Sequence, residues 1–450
     1  MEAERLAHEV IAKLRHAGHQ AYLVGGCVRD VLLGGKPQDF DVATDARPDR
    51  IMSLFPNSGC VGAHFGVVLV RDLLAQVEVA TFRSDNDYTD GRRPASVHFE
   101  RDPRQDVLRR DFTINGLLMD PETGAVLDYV DGRADLDRRV IRAIGDPAVR
   151  FQEDHLRLLR AVRFAARLGF AIEPATLAAI RRDHVLVRSV AAERVRDELA
   201  RILTEGGARR GFELLDESGL LAVILPEVAA MKGVEQPPQY HPEGDVWVHT
   251  LLLLEGLHHP TLTLALGALL HDVGKPNTFR VAERIRFDGH VEEGVRLTHQ
   301  ILTRLRFSNE EIEKVEALVA NHMKFKDLPN MRQSTLKRFL RMADFLEHLE
   351  LHRLDVMASN QRLESYELAR QKLNEFPDEH FKPAPLVTGA DLIAAGYHAG
   401  PIFATILNAV EDAQLEGRIH TAGEGLALVR EMFPIDAPGR LADHSGKRQR

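Results

Sequence analysis

The sequence predicts an α+β protein: a small mixed β-sheet domain followed by a long, all-helical remainder. Two observations predict it. Between residue 20 and about residue 100, short β-branched runs alternate with short helical stretches. From Arg104 onward that alternation fades and helical periodicity runs to the end, broken at Gly132, Gly145, Gly169, Gly219, Pro237-Pro238, Asn330 and Pro383-Pro385. A third observation sets the scale, since 450 residues exceed one ordinary domain and suit two to four.

The opening stretch, MEAERLAHEVIAKLRHAG, is charged throughout and reads as an amphipathic helix ending at Gly18 rather than a signal peptide. Strands are expected at 21–24, 39–43, 66–70 and 76–82, with helical pieces at 27–33 and 47–55. Residues 81–99, polar and bearing glycine and arginine, read as a mobile loop beyond the fourth strand. Boundaries fall near Phe151 and within the Pro-rich stretch 234–242. The composition, 44% hydrophobic and 28% charged, is that of a soluble globular protein. Two cysteines, Cys27 and Cys60, rule out a disulfide framework and fit a reducing compartment. The longest apolar run, Leu262 to Leu270, is too short to cross a bilayer, so the expected location is cytoplasmic, with no membrane partner.

A net charge of −9 argues against a strongly basic nucleic-acid binder. Its distribution qualifies that, because Arg133 to Arg210 holds 17 Arg and no Lys against 11 Asp plus Glu, a local +6. Such a segment is either a phosphate-tracking surface or a set of ion-paired helices.

Chemistry concentrates in YLVGGCVRDVLLGGKPQDFDVATD, residues 22–45. If Asp39 and Asp41 alternate along one strand they share a face, roughly 6–7 Å apart. Two crowded carboxylates repel unless divalent cations sit between them. Gly25-Gly26 enters a helix start, where bare N–H groups can face an anion. Glu78, on the fourth strand, can bring a third carboxylate beside the pair. Further on, Arg110, Asp111 and Asn115 combine donors and acceptors suited to phosphate or ribose, on a stretch expected to begin or occupy a helix. In a helix Asp154 and Arg157 share a face, with Glu153 adjacent to Arg157; an acceptor beside a guanidinium fork can match the Watson–Crick edge of a base. The plain alternative is a helical ion pair.

Taken together, Gly25-Gly26-x-x-Arg29-Asp30, Asp39-x-Asp41, Arg109-Arg110-Asp111-x-x-x-Asn115 and Glu153-Asp154-x-x-Arg157, with DGRADL and RAIGDPAVRF between them, resemble the class II tRNA nucleotidyltransferase and bacterial poly(A) polymerase family over residues 20–230. The resemblance implies a nucleotidyltransferase head of the DNA-polymerase-beta type, followed by helical neck, body and tail. It implies Mg²⁺ at Asp39 and Asp41, with Glu78 nearby, and the triphosphate at Gly25, Gly26 and Arg29. Arg110, Asp111 and Asn115 would meet ribose and phosphates, while Asp154 and Arg157 would select C or A. His155 stands where many relatives carry proline. Residues 61–70 lack the Arg-rich insertion associated with many poly(A) polymerases, which favours tRNA as substrate.

A second pattern occupies 245–360: His249, then His271-Asp272-Val273-Gly274-Lys275, then His290, His322 and Asp355. Imidazole and carboxylate donors suit Zn, Mn, Fe, Ni or Mg. The series resembles the HD phosphohydrolase superfamily, which implies a core metal site at His249, His271, Asp272 and Asp355, with His290 and His322 suited to a second metal. The expected divisions are head 1–150, neck and body 151–234, HD domain 235–380, helical tail 381–438 and a disordered end, 439–450. The expected activity is addition of C and A from CTP and ATP to the tRNA 3′ end, with an HD-type phosphatase or phosphodiesterase attached. Alternatives are an A-adding, CC-adding or poly(A)-adding relative, or an HD hydrolase whose head only binds RNA; the motifs leave the added sequence, the HD metal and substrate, and the oligomeric state open.

Overall fold

The computed structural model describes residues 2–60, 66–88, 91, 94–375, 383–436 and 440–441. Nine strands are counted here in chain order: β1 Ala21–Val24, β2 Asp41–Thr44, β3 Ser58–Cys60, β4 Val67–Arg71, β5 Gln76–Thr81, β6 Arg83–Tyr88, β7 Pro94–Phe99, β8 Leu117–Met119 and β9 Val126–Asp128. Seven of them form one sheet in the order β3-β4-β5-β2-β1-β8-β9. β2 and β5 run parallel and every other pair in the sheet is antiparallel. The mixed sheet and helical remainder are the α+β fold that the alternation predicts.

Both faces of the sheet are covered, which is why its inner strands are apolar at successive positions. Leu23, Val42 and Leu117 enter the main core with the helix Glu2–His16, while their neighbours Val24, Ala43 and Leu118 meet Phe82 and Val107 on the other face. That main core is continuous from Leu6 through the neck helices to Ala358, with smaller clusters around Phe325 and around Leu392 and Val410.

Four expectations need correction. Asp39 lies before β2, in a bend, because the strand pairs with β1 only from Asp41 onward. Helix does not take over at Arg104, since β8 and β9 complete the sheet; three-residue strands are too short to show a period. Residues 83–88 and 94–99 pair as a hairpin instead of forming a loop, and polar side chains hid the pairing. The stretch from Arg109 to Asn115 is not one helix: a helix ends at Leu108 and only Thr113–Asn115 makes a 3₁₀ turn. Of the end expected to be disordered, Arg440–Leu441 instead pair with Ile435–Asp436. The rest of 439–450, residues 61–65 and part of 81–99 lie outside the described residues.

Candidate active sites at the sheet end and in the helical body

β1 runs into Gly25, whose φ of 78° is a conformation that favours glycine, and whose N–H donates to the Leu117 carbonyl of β8. A Cβ there would stand 3.3 Å from Arg110 Nη1, so glycine also admits the guanidinium. Val24 pairs with Asp41, and Asp41 is the register partner of Glu78 across the parallel β2–β5 pair. The glycine turn, Asp41, Glu78 and Arg110 therefore gather at one end of the sheet. Asp41 is half-buried, while Asp39 and Glu78 are exposed. Burial first, then the charges of Glu78 and Asp39, push the Asp41 carboxyl up to about 6 against the opposing Arg110. Asp41, beside Glu78 and Asp39, offers carboxylate oxygens of the kind a hard divalent cation takes.

The cations sort into two kinds. Asp106, a fully buried carboxylate, holds Arg109 at 2.6 Å through one oxygen and Arg110 at 2.9 Å through the other. Arg29 is only 3% exposed, its fork turned to Asn115 at 2.7 Å and to Asp30. Asn115 in turn donates to Asp111, which takes both arms of Arg160 at 2.8 and 2.6 Å. Burial opposes the Asp111 charge, but Arg160 and Asn115 outweigh it and hold the carboxyl down near 2. Of the four polar residues expected to meet triphosphate and ribose, Arg110 and Arg29 approach the glycine turn, with Nη1 3.3 Å from a Cβ on Gly25 and Nη2 3.6 Å from one on Gly26. Arg29, Asp111 and Asn115 form an inner chain that fixes the neck helix Arg157–Leu168 to the head. The seven-residue helix Gly26–Leu32 adds little dipole, so the positive potential comes from side chains.

Asp154 and Arg157 do not share a helix. Helix Pro147–Glu153 stops at Asp154, and the next begins at Arg157. Arg157 donates to Glu153 at 2.6 Å and to the carbonyls of Arg150 and Arg109, leaving two of its five N–H groups uncommitted. Asp154 is gripped by both arms of Arg194, at 3.0 and 3.2 Å. Asp154 remains partly accessible, whereas Arg157 is buried. Between them His155 donates its backbone N–H to the Gly91 carbonyl, bringing the hairpin tip onto this corner. Most arginines of 133–210 prove to be ion-paired, for instance Arg142–Asp135, Arg163–Glu198 and Arg181–Glu217.

The second cluster is tighter. His249 lies on helix Val246–Glu255, His271 and Asp272 follow helix Leu262–Leu270, His290 opens helix His290–Arg304, His322 ends helix Asn309–Asn321, and Asp355 lies on helix Phe345–Ala358. Five elements thus deliver six ligating side chains to one place. Potential ligand atoms fall into two groups, His249–His271–Asp355 and Asp272–His290–His322, each within 4.8 Å. Asp272 joins them: Oδ2 stands 3.2 Å from His271 Nε2, and Oδ1 stands 3.8 and 4.0 Å from the Nε2 atoms of His322 and His290. Every Nδ1 is bound elsewhere, to the carbonyls of Ala268, Phe287 and Val319 or, for His249, to Glu243 at 2.7 Å. Those acceptors fix the rings with Nε2 inward, as metal-ligating histidines require.

The charges are consistent with a cage. Burial opposes protonation of His249, yet Asp355 and Glu243 outweigh it and raise the imidazole to about 9. Burial lowers His322 to about 4, helped by His271. The Nε2 atoms of His290 and His322 are buried without any hydrogen-bond partner, a costly arrangement unless something ligates them. Two divalent cations sharing Asp272 fit this donor set. Lys275 (2.6 Å from Asp272) enters the sequence reading without a role, while Glu243 and the buried Gln236, which accepts from Lys275, escaped it. So did Asp106, Arg160 and Arg194. Asp106 had a local signal in its spacing to two arginines; Glu243 and Arg194 act across turns and between helices, where spacing carries no signal.

Residues 21–142 match the poly A polymerase head domain, 169–232 the family described as "Probable RNA and SrmB- binding site of polymerase A", and 246–349 the HD domain. A CCA-adding enzyme of Levilactobacillus brevis is 47% identical over 219 residues, 49% of this chain and 55% of that protein. One of Bacillus pumilus is 43% identical over 249 residues, 54% of this chain and 62% of that protein. The matched stretch thus spans a little over half the length of these curated relatives. The crystal structure of a Bacillus stearothermophilus CCA-adding enzyme in complex with CTP superposes with a TM-score of 0.74 at 29% identity, covering 95% of this chain and 96% of that one. No helix among the described residues is long and apolar enough to cross a membrane.

Proposed function

We propose, from the match of residues 21–142 to the poly A polymerase head domain and of 246–349 to the HD domain, that this chain adds C and A, from CTP and ATP, to the 3′ end of tRNA in the cytoplasm. The observation that carries the reading is the register of Asp41 with Glu78 beside the Gly25–Arg110 contact, which sets acceptors for metal and a cation for phosphate at one sheet end. Asp39 and Asp41, with Glu78 beside them, would hold Mg²⁺. Bound there, the metal makes an RNA 3′-hydroxyl a better nucleophile and neutralises charge on the triphosphate. Arg110, steadied by Asp106, binds and orients the triphosphate in front of the turn. Asp154 accepts from the exocyclic amine that C and A share, while the free N–H groups of Arg157 donate to their ring nitrogens. The same CTP-bound enzyme that shares this fold supports the choice of nucleotide substrate.

For the HD cage the proposal is a metal-dependent phosphomonoesterase or phosphodiesterase, using two ions such as Ni, Mn, Fe or Zn. Purified protein incubated with labelled CTP or ATP and tRNAs lacking CCA, ending in CC, or complete tests the first activity. Incorporation of C into the first and of A into the second, with none into the third, is the expected result. Unlimited A addition to all three would place the chain among poly(A) polymerases instead.

A further inference from the structure

Where the head meets the helical body, side chains close into a ring. Arg29 donates to Asn115, Asn115 donates to Asp111, and Arg160 grips Asp111 in turn. From Arg160 the ring continues to Glu198 at 4.0 Å, and Glu198 accepts from Arg163 at 2.6 Å. Glu205 stands 3.5 Å from Arg163 and 3.4 Å from Arg167. Arg167 returns to Asp30 at 3.6 Å, and Asp30 lies 2.7 Å from Arg29. Guanidiniums and carboxylates alternate all the way round, with Asn115 the one neutral member. The helix Arg157–Leu168 supplies Arg160, Arg163 and Arg167, and also Phe164, which is buried on the same face. The guanidinium carbons of Arg29, Arg160 and Arg163 stand 5.3, 5.3 and 4.3 Å from the centre of the Phe164 ring. An aliphatic side chain would fill the space but offer no negative face to three cations.

The helix that carries these side chains begins at Arg157, just after Asp154, and the ring ties it to the helix Gly26–Leu32 that follows the glycine turn. Resting on the nucleotide-addition reading above, we infer that Phe164 and Arg167 are positioning residues that fix the distance between the Asp154–Arg157 corner and the sheet end. Neither touches the nucleotide on this account. A nucleotide carries its base and its triphosphate on one short frame, so it gains from both ends of the site only while their separation is held. The two limbs of the ring are unequal. The links from Arg160 through Asp111 and Asn115 to Arg29 are 2.6 to 3.1 Å long, whereas those of Arg167 are 3.4 and 3.6 Å, and its side chain is 35% exposed. Phe164, in contact with three members, therefore governs the spacing more than Arg167 does.

The full-length protein, Phe164→Leu and Arg167→Gln would be compared on tRNAs lacking CCA and ending in CC. The measurements are kcat/KM for CTP, ATP and UTP, and the inhibition constant of inorganic tripolyphosphate, which engages the sheet end alone. In Phe164→Leu the values for CTP and ATP should fall about tenfold, the scale of a small misplacement set by a remote residue. UTP, which has no amine for Asp154, and tripolyphosphate should change by less than about twofold, because each end of the site stays intact. Arg167→Gln should show the same pattern at about threefold, as suits a partly exposed ion pair. In an Asp154→Ala background Phe164→Leu should cost C addition less than about twofold, since the contact it positions is already gone. A CTP-to-UTP ratio unchanged in both variants, losses for UTP and tripolyphosphate in step with CTP, or full additivity with Asp154→Ala would each overturn the inference while leaving a working nucleotidyltransferase. If Phe164→Leu does not fold, the CTP-to-UTP ratio of Arg167→Gln decides. Failure of the unmodified protein to add C or A to either tRNA would overturn the proposed function itself, and this inference with it.

Discussion

The sheet-end site and the histidine cage are both built from residues that repel or orphan one another, but they resolve the conflict in opposite ways. At the sheet end three carboxylates share one edge, and the conflict is left standing, with Asp41 pushed up to about 6. In the cage each carboxylate faces imidazoles: Asp355 lies 3.1 Å from His249, raising one and lowering the other. The difference teaches where each site gets its metal. Mg²⁺ is commonly held by one or two carboxylates plus substrate phosphates, so under the proposed function the open sheet end would be completed by its nucleotide. Six converging side chains with their rings already oriented need no substrate to hold ions.

The largest expected effects break the two sites apart. Asp41→Ala should lower nucleotide incorporation by at least about a thousandfold, the scale of losing metal assistance at the reacting phosphate, while leaving hydrolysis intact. His271→Ala with Asp272→Ala should do the reverse, removing hydrolysis without slowing addition of C or A. Radiolabel incorporation and phosphate release, measured on the same preparations, check both. A collapse of both activities in either well-folded variant would show that the sites are one machine.

Metal content sharpens the contrast. After dialysis without chelator, elemental analysis should find up to two transition-metal ions per chain in the unmodified protein and markedly fewer in Asp272→Ala, because Asp272 faces both ligand groups. Asp39→Ala should not change that count. Retention of the full complement by Asp272→Ala would mean that the bridging carboxylate is not a ligand.

Stability against pH separates the sites by a further, smaller effect. The Asp41 carboxyl titrates near 3.8 when unperturbed and near 6 in the metal-free fold. A raised folded value favours folding while the group is protonated, and that advantage is lost as pH rises through about 6. At pH 7.5 ionised Asp41 therefore opposes folding, and Asp41→Asn in EDTA should stabilise the protein by up to about 3 kcal/mol. The gain should shrink as pH falls towards 4. Denaturant melts at pH 5 and 7.5 read it directly, and a gain that is equal at both would refute the electrostatic cause.

How much of this was legible in the sequence follows the range of the interactions. The strands β1, β2, β4 and β5 announced themselves by β-branched runs that carry Asp41 and Glu78, whereas Asp39 falls in a bend before β2. Six candidate HD ligands could be named without knowing that they come from five elements, since the ordered His and Asp series resembles the HD superfamily. What the sequence hid was partner choice. Arg29 reads as a free cation beside a glycine turn, yet folding turns it inward to Asn115, 86 residues away. Arg157 and Asp154 read as one helical pair, but a helix break at Asp154 gives each a different partner. Side chains three or four apart on an unbroken helix are forced together; across a break or between helices nothing local specifies the neighbour.

The smallest effect tests that last difference. In the proposed role the carboxylate of Asp154 accepts from the amine common to C and A, and U and G carry a carbonyl at that position. Asp154→Ala should reduce discrimination against UTP and GTP by about 1–3 kcal/mol, roughly 5- to 150-fold, the usual cost of removing one polar partner from a partly buried site. Arg157→Ala should instead slow C and A addition alike, because its remaining donors serve both bases. Arg194 grips Asp154 with both arms and touches no base on this account, so Arg194→Ala should weaken selectivity in the same direction but less, by letting the carboxylate swing. Competition assays with all four triphosphates measure each variant on one scale. If Asp154→Ala kept full selectivity while Arg194→Ala only lowered stability, the pair would be a plain ion pair joining two helices, and base choice would have to come from elsewhere at this corner, with the hairpin tip at Gly91, bonded to His155, the nearest candidate.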